Sequence, residues 1–97
     1  MYTKWKWYVY ILELYNGYYY TGVTWKPEVR MEQHFARLGS KYTKKYGVKR
    51  LVYLEEHEDI ELARQREIQI KDFSQKRKQE LIKIFLQQGG CYIYPDE

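Results

Sequence analysis

The sequence has few of the residues that would build a disulfide or metal framework. Cys91 is the only cysteine, so one chain can form neither a disulfide framework nor a cysteine-rich zinc site. A reducing, cytoplasmic setting is the simplest interpretation of this count. No apolar run approaches the roughly 20 residues of a membrane span, and the N-terminus lacks the layout of a signal peptide. We therefore expect no membrane partner.

The charge balance is mildly basic. The 97 residues include 17 Lys and Arg against 13 Asp and Glu, giving a net charge of +4. This balance permits a nucleic-acid partner without establishing one. The composition is 44% hydrophobic and 19% aromatic, which favours a packed core. Since the length suits one domain and shows no repeat or linker, we expect a domain over residues 1–88 and a short peripheral tail over 89–97.

The hydrophobic pattern predicts six elements in the order ββαβαα. Two β-branched and aromatic runs flank Asn16-Gly17, which is a hairpin signal. Pro27 suits the start of a helix that Met31, Phe35 and Leu38 continue, and Gly39 can end it. The remaining predictions are strands over 6–14, 18–24 and 48–56, a second helix from Glu58 and Asp59 to Phe73, and a third helix over 75–87 capped by Ser74.

This order predicts a small α/β (α+β) fold. We expect a three-stranded, mainly antiparallel sheet flanked by helices. The hairpin register stays open between two alternatives. A two-residue turn at Asn16-Gly17 places Tyr10 and Tyr20 on opposite faces, whereas a three-residue loop with left-handed Gly17 places them on one face and sets Tyr10 opposite Gly22.

Two predicted helices carry polar residues beside their apolar stripes. Arg30 and His34 are four residues apart, so they share a face, and the alternative to a functional role is a solvated basic flank. Glu67 falls within the apolar arc of the second helix. A carboxylate there is either ion-paired, for example with Arg64 or Arg66, or it binds a metal or faces a cleft. His57, at a strand–helix junction, is expected at the surface.

The order of these motifs resembles the GIY-YIG nuclease superfamily. The matching segments are "YVY" at 8–10, "YTG" at 20–22, "VRMEQHF" at 29–35, "GSKYT" at 39–43 and "REIQIK" at 66–71. The resemblance is to the small stand-alone bacterial members, which are related to a subunit that cuts branched DNA. It covers roughly residues 5–86.

The resemblance implies a role for each motif residue. Tyr10 and Tyr20 face the active site, and one of the two, with Tyr10 preferred, helps to deprotonate the attacking water. Arg30 contacts the scissile phosphate, His34 joins the proton relay, and Gly22 lets backbone or substrate come close. The implied metal ligand is Glu67, which holds a single Mg²⁺ or Mn²⁺ ion. These roles require Tyr10 and Tyr20 on one face, so they select the three-residue loop.

The implied function is metal-dependent phosphodiester hydrolysis by an endonuclease acting on structured or branched DNA. The chain departs from the family pattern because its only asparagine, Asn16, lies in the turn, and no Asn follows the glutamate. Two alternatives therefore stay open: a nucleic-acid-binding module, and a nuclease subunit that needs a protein partner for target choice. The expected phosphate contacts are Arg37, Lys41, Lys44, Lys45 and Lys71.

Overall fold

The computed structural model describes residues 6–88 of the chain, so the expected tail over 89–97 lies outside the described residues. Its three strands form one antiparallel sheet in the order β2-β1-β3. The strands are β1 (Trp7–Leu14), β2 (Tyr19–Thr24) and β3 (Val48–His57), and the helices are α1 (Pro27–Phe35), α2 (Lys41–Tyr46), α3 (Ile60–Lys71) and α4 (Gln75–Gln87). The predicted fold class and element order are confirmed, with the short helix α2 added before β3.

The central strand β1 is buried on both faces because helices cover both sides of the sheet. Alternate side chains of a strand point to opposite faces, and here they divide two core clusters. One cluster packs α1 against Tyr10, Leu12 and Leu14. The other packs α3 and α4 against Val9 and Ile11. The helices contribute Met31 to the first cluster and Ala63, Ile70 and Ile82 to the second.

The hairpin has the three-residue loop. Tyr10 pairs with Gly22 and Leu12 pairs with Tyr20 across the ladder. The Leu14 amide donates to the Tyr18 carbonyl at 2.9 Å, and Gly17 has a φ of +89°. Glycine adopts this left-handed conformation without the steric cost that a Cβ brings. The register that places Tyr10 and Tyr20 on one face is therefore confirmed.

The end of α1 differs from the prediction. The helix stops at Phe35 instead of continuing to Gly39, and Arg37 has a φ of +62°. The Leu38 amide donates to the Gln33 carbonyl at 2.7 Å and the Arg37 amide donates to the His34 carbonyl at 3.0 Å, which is the Schellman pattern. Leu38 was wrongly predicted to face the core: its side chain lies beyond the helix and is 72% exposed.

The other helix limits follow the capping signals. Asp59 accepts a hydrogen bond from the Leu62 amide at the start of α3, and Ser74 accepts one from the Arg77 amide at the start of α4. Both side chains satisfy amides that lack partners within the first helical turn. Helix α3 ends at Lys71, two residues before the predicted limit.

Glu55 on β3 joins the sheet to α3. Its carboxylate accepts hydrogen bonds from the Tyr53 hydroxyl and from Arg66 Nε, and it contacts His57 Nε2. Strand alternation puts Tyr53, Glu55 and His57 on one face. The expectation that His57 is exposed was wrong, since its side chain is only 19% exposed and pairs with Glu55.

We expect Glu55→Gln to lower the free energy of unfolding by about 1–3 kcal/mol, because charged hydrogen bonds are lost from a partly buried site. Burial raises the pKa of Glu55, but the hydrogen bonds from Tyr53 and His57 and the Arg66 charge outweigh it and lower the pKa below 4.5. The contribution of the Glu55 carboxylate to the free energy of unfolding is therefore complete above pH 4.5 and is lost as the pH falls below it. Denaturant unfolding from pH 7 down to acid pH measures both effects. An unchanged acid dependence in Glu55→Gln would contradict this assignment.

Candidate active site

Tyr10 and His34 form the buried centre of the site. Tyr10 lies on β1 and His34 on α1, and both are at most 1% exposed. The Tyr10 hydroxyl and His34 Nε2 are 2.9 Å apart. The solvated-flank alternative is therefore wrong for His34, whose polar atoms lie inside the protein with specific partners.

The partners of His34 Nδ1 bear on the direction of the hydrogen bonds in the site. His34 Nδ1 lies 2.9 Å from Thr43 Oγ1, which lies 3.2 Å from the Ser40 carbonyl and 3.1 Å from Ser40 Oγ. When the Thr43 hydroxyl donates to the carbonyl, it accepts from the Nδ1–H of His34, and Nε2 carries the lone pair that accepts the Tyr10 proton. In this arrangement the donors run from Tyr10 through His34 and Thr43 to the Ser40 carbonyl.

Two glycines make room for the two central rings. A Cβ on Gly22 would overlap the Tyr10 hydroxyl, and a Cβ on Gly39 would overlap His34 Nδ1. The sequence suggested that Gly39 ends α1; its place in the structure is instead beneath the imidazole. In the described residues the group lying over Gly22 is the Tyr10 phenol.

Tyr20 on β2 lies at one side of the site. Its ring centroid lies 6.4 Å from that of Tyr10 and 5.5 Å from that of His34, with an edge-to-face arrangement against the imidazole. Tyr20 is half-buried. The register of the hairpin thus brings both predicted tyrosines to the same histidine.

Arg30 and Glu67 place opposite charges around the Tyr10 hydroxyl. Burial raises the pKa of Tyr10 to about 12, with Arg30 acting to lower it and Glu67 to raise it. Arg30 Nη1 donates to Gln33 Oε1 at 2.9 Å. Burial, followed by the Arg30 charge, lowers the pKa of His34 to about 4. The resting site therefore holds a neutral phenol and a neutral imidazole at pH 7.

Glu67 is ion-paired, and its charge acts on the Tyr10 hydroxyl. Its side chain is 18% exposed, and Oε2 lies 3.1 Å from Lys71 Nζ one turn later on α3. The sequence suggested Arg64 or Arg66 as the partner, but Arg66 binds Glu55 instead. The ion pair and the electrostatic effect on Tyr10 coexist, so the two alternatives for Glu67 are not exclusive.

The predicted phosphate-contacting residues are spread around this centre. Lys41, Lys44 and Lys45 are exposed on α2, and Arg37 is exposed just after α1. Lys71 differs because it pairs with Glu67. The structure thus brings Tyr20, Gly22, Arg30 and His34 together around Tyr10 and connects Glu67 to this centre through its charge, while four of the five predicted phosphate contacts lie outside it.

Sequence reasoning missed three residues that orient the site: Gln33, Ser40 and Thr43. Ser40 caps α2 by accepting from the Thr43 amide at 3.2 Å, and Thr43 is fully buried. The signal was present in "GSKYT", since a serine three residues before a threonine suits a helix N-cap. Helix α2 has only six residues, too few for a periodic pattern.

The residues present fit a divalent ion shared with a substrate. Within residues 6–88, no group of three or more His, Cys, Asp or Glu side chains is placed to hold a metal. Mg²⁺ and Mn²⁺ prefer oxygen ligands, and Mg²⁺ commonly uses one or two carboxylates together with waters and substrate phosphates. Glu67, whose charge raises the pKa of Tyr10, supplies one such carboxylate. This donor set does not form a closed metal cage from protein ligands.

The fold and the site together define an α+β domain with a buried tyrosine–histidine pair on a three-stranded sheet. The family model described as the GIY-YIG catalytic domain matches residues 6–80. The chain belongs to the GIY-YIG family, whose nucleases generally use divalent metal ions, and this membership suggests nucleic-acid hydrolysis.

Small bacterial proteins share this domain. The chain is 37% identical over 84 residues to a UPF0213 protein of Bacillus cereus, covering 87% of this chain and 83% of the relative. It is 36% identical over 85 residues to one of Halalkalibacterium halodurans, covering 88% and 87%. A solution NMR structure of a UPF0213 protein from Bacillus halodurans is similar with a TM-score of 0.54 and 35% identity, covering 81% and 84%. In residues 6–88, the helices are too short or too polar to cross a membrane.

We expect His34 to titrate near pH 4, since burial and Arg30 lower its pKa. Between that value and the ordinary 6.5, the unfolded chain binds more protons, so the free energy of unfolding decreases as the pH falls through this range. The chain has two histidines, and NMR titration of His57→Gln isolates the His34 signal. A midpoint near 6.5 in the folded protein would contradict the buried neutral imidazole.

We expect Gly39→Ala to displace the His34 ring and to lower the free energy of unfolding by about 1–3 kcal/mol, as overpacking does. Gly17→Ala is the matched control: its Cβ meets nothing within 4 Å, and only the left-handed φ is penalised. NMR shifts of the His34 ring distinguish the two variants. Equal shifts in both variants, or none in Gly39→Ala, would contradict the close approach at Gly39.

Proposed function

We propose that this chain is a metal-dependent endonuclease that hydrolyses phosphodiester bonds in structured or branched DNA. The observation that supports it best is the buried hydrogen bond between the Tyr10 hydroxyl and His34 Nε2, on which the charges of Arg30 and Glu67 act. Hydrolysis requires an activated water and neutralised phosphoryl charge. The site holds side chains suited to both tasks.

Tyr10 and His34 act as one base. The pKa values of about 12 for Tyr10 and about 4 for His34 exclude a tyrosinate–imidazolium pair in the resting site. Tyr10 therefore takes the proton of the attacking water while it passes its own proton to His34 Nε2. The water oxygen forms the new bond to phosphorus as the bond to the leaving oxygen breaks. Thr43 holds the imidazole in the tautomer that accepts this proton.

Arg30 binds the scissile phosphate. Its guanidinium is half-buried beside Tyr10, and it keeps its charge while donating to phosphoryl oxygens. A bound phosphate offsets the positive charge that lowers the pKa of His34, so substrate binding makes the imidazole a better proton acceptor. Glu67 would hold the divalent ion, which supplies charge stabilisation for the phosphoryl and leaving oxygens.

The test is cleavage of flap, splayed-arm and single-stranded DNA by the purified chain with Mg²⁺ or Mn²⁺. We expect Glu67→Ala to abolish cutting, because the carboxylate ligand is lost. Tyr10→Phe should reduce the rate by about 10²–10⁴-fold, the usual contribution of general acid–base catalysis. Glu61→Gln is the matched control, since Glu61 is an exposed glutamate in the first turn of the same helix.

Three outcomes separate this function from its alternatives. Cutting that disappears in Glu67→Ala and persists in Glu61→Gln supports the endonuclease. Binding without cutting, unchanged in Glu67→Ala, indicates a nucleic-acid-binding module. Cutting that requires a second protein indicates a partner-dependent subunit.

A further inference from the structure

A groove opens beside the site, where the hairpin, α2 and the first turn of α4 meet. Its volume is about 330 Å³, at the lower end of the roughly 300–1,000 Å³ of small-ligand pockets. Gln75 Nε2 donates to the Gly17 carbonyl at 3.3 Å and thereby joins α4 to the hairpin turn. The groove is lined by Tyr18, Tyr19, Tyr42, Gln75 and Lys78.

Tyr42 connects this groove to the candidate active site. Its ring is stacked near-parallel to Tyr20, with centroids 6.4 Å apart and planes 23° apart. Tyr20 in turn lies edge-to-face with His34, and Tyr46 supports Tyr42 edge-on at 4.9 Å. Since Tyr42 is 36% exposed, aromatic surface continues from the buried imidazole to the open groove.

The charge around the groove is positive. Lys78 is half-buried at the groove and makes no ion pair with any residue between 6 and 88. Lys41, Lys44 and Lys45 are exposed on the helix that carries Tyr42. None of the residues lining the groove carries a carboxylate. Aromatic faces combined with lysines are the surface that unpaired nucleotides bind, by stacking and by phosphate contact.

We propose that this groove binds an unpaired nucleotide adjacent to the scissile phosphate, with its base against Tyr42 and its phosphate against Lys78. This inference rests on the proposed function for its position relative to the cut. A base within a duplex has both faces covered by its neighbours, so the groove selects a substrate with a single-stranded segment beside the cleaved bond.

The test is the fluorescence anisotropy of labelled oligothymidylate and of a blunt duplex of equal length, at low salt and with EDTA to prevent cutting. The wild-type chain should bind the single strand more tightly. Tyr42→Ala should weaken single-strand binding by about 5- to 100-fold, the loss expected for one stacked base, and change duplex binding little. Tyr42→Phe keeps the ring and should retain wild-type affinity.

Two matched controls sharpen this test. Tyr15→Ala removes a tyrosine of the same hairpin that is 67% exposed and lies outside the groove, and single-strand affinity should not change. Lys78→Ala should reduce the dependence of affinity on salt concentration by about one phosphate contact. Lys76→Ala, on the opposite side of α4 at 100° per residue, should not.

Equal affinity of the wild-type chain for both DNAs would overturn the proposal, as would a Tyr42→Ala loss no larger than that of Tyr15→Ala. Circular dichroism shows whether Tyr42→Ala is folded. If it is misfolded, the proposal is tested by comparing Lys78→Ala with Lys76→Ala. Equal salt dependence of single-strand affinity in these two variants would overturn the proposal. Tyr42-dependent binding without any cleavage would contradict the proposed endonuclease activity but not the proposed nucleotide site in the groove. Cleavage with unchanged KM in Tyr42→Ala would contradict the proposed nucleotide site in the groove but not the proposed endonuclease activity.

Discussion

The phenol of Tyr10 lies over the neighbouring strand, and it does so only because that strand has no side chain opposite it. Gly22 is the residue paired with Tyr10 in the ladder, and a Cβ there would overlap the hydroxyl. The hydrogen bond to His34 therefore depends on the hairpin register. The three-residue loop with left-handed Gly17 joins the two strands in that register.

The two faces of the sheet carry different polar groups. One face carries Tyr10 and receives α1, which brings His34 and Arg30. The other face carries Glu55, which binds Arg66 of α3. Arg66 immediately precedes Glu67, so the contact that holds Arg66 on β3 also restricts the rotation of α3 and the direction of the Glu67 side chain. A structural ion pair thus limits where the carboxylate proposed as the metal ligand can lie.

The sequence predicted most of this arrangement, and its failures have physical reasons. Strand alternation, the Asn16-Gly17 turn and the Asp59 and Ser74 caps are local signals, and the elements that they mark are present. The end of α1 was misplaced because Arg37 adopts a conformation usually left to glycine. Gly39 lies against His34, where a Cβ would overlap the imidazole ring. This contact depends on the tertiary fold, so local sequence signals do not predict it.

Thr43, a hydrogen-bond partner of His34, is a second residue that local sequence signals do not predict. A threonine within a six-residue helix gives no periodic signal, and its hydroxyl matters only because Ser40 offers a carbonyl on one side and His34 a nitrogen on the other. Predicting it requires the path of the chain between α1 and α2. The motif "GSKYT" marks the segment, while the hydrogen-bond partners of His34 appear only in the folded chain.

The electrostatics of the resting site oppose proton transfer from Tyr10 to His34. Burial keeps the phenol protonated and the imidazole neutral, and the Arg30 charge further lowers the pKa of His34. The same charge is the one that a phosphodiester would neutralise. Binding of the anion and basicity of the imidazole are therefore coupled through one guanidinium. Under the proposed function, the site would become a better base once a phosphodiester is bound, because the positive charge that suppresses protonation of His34 would then be paired.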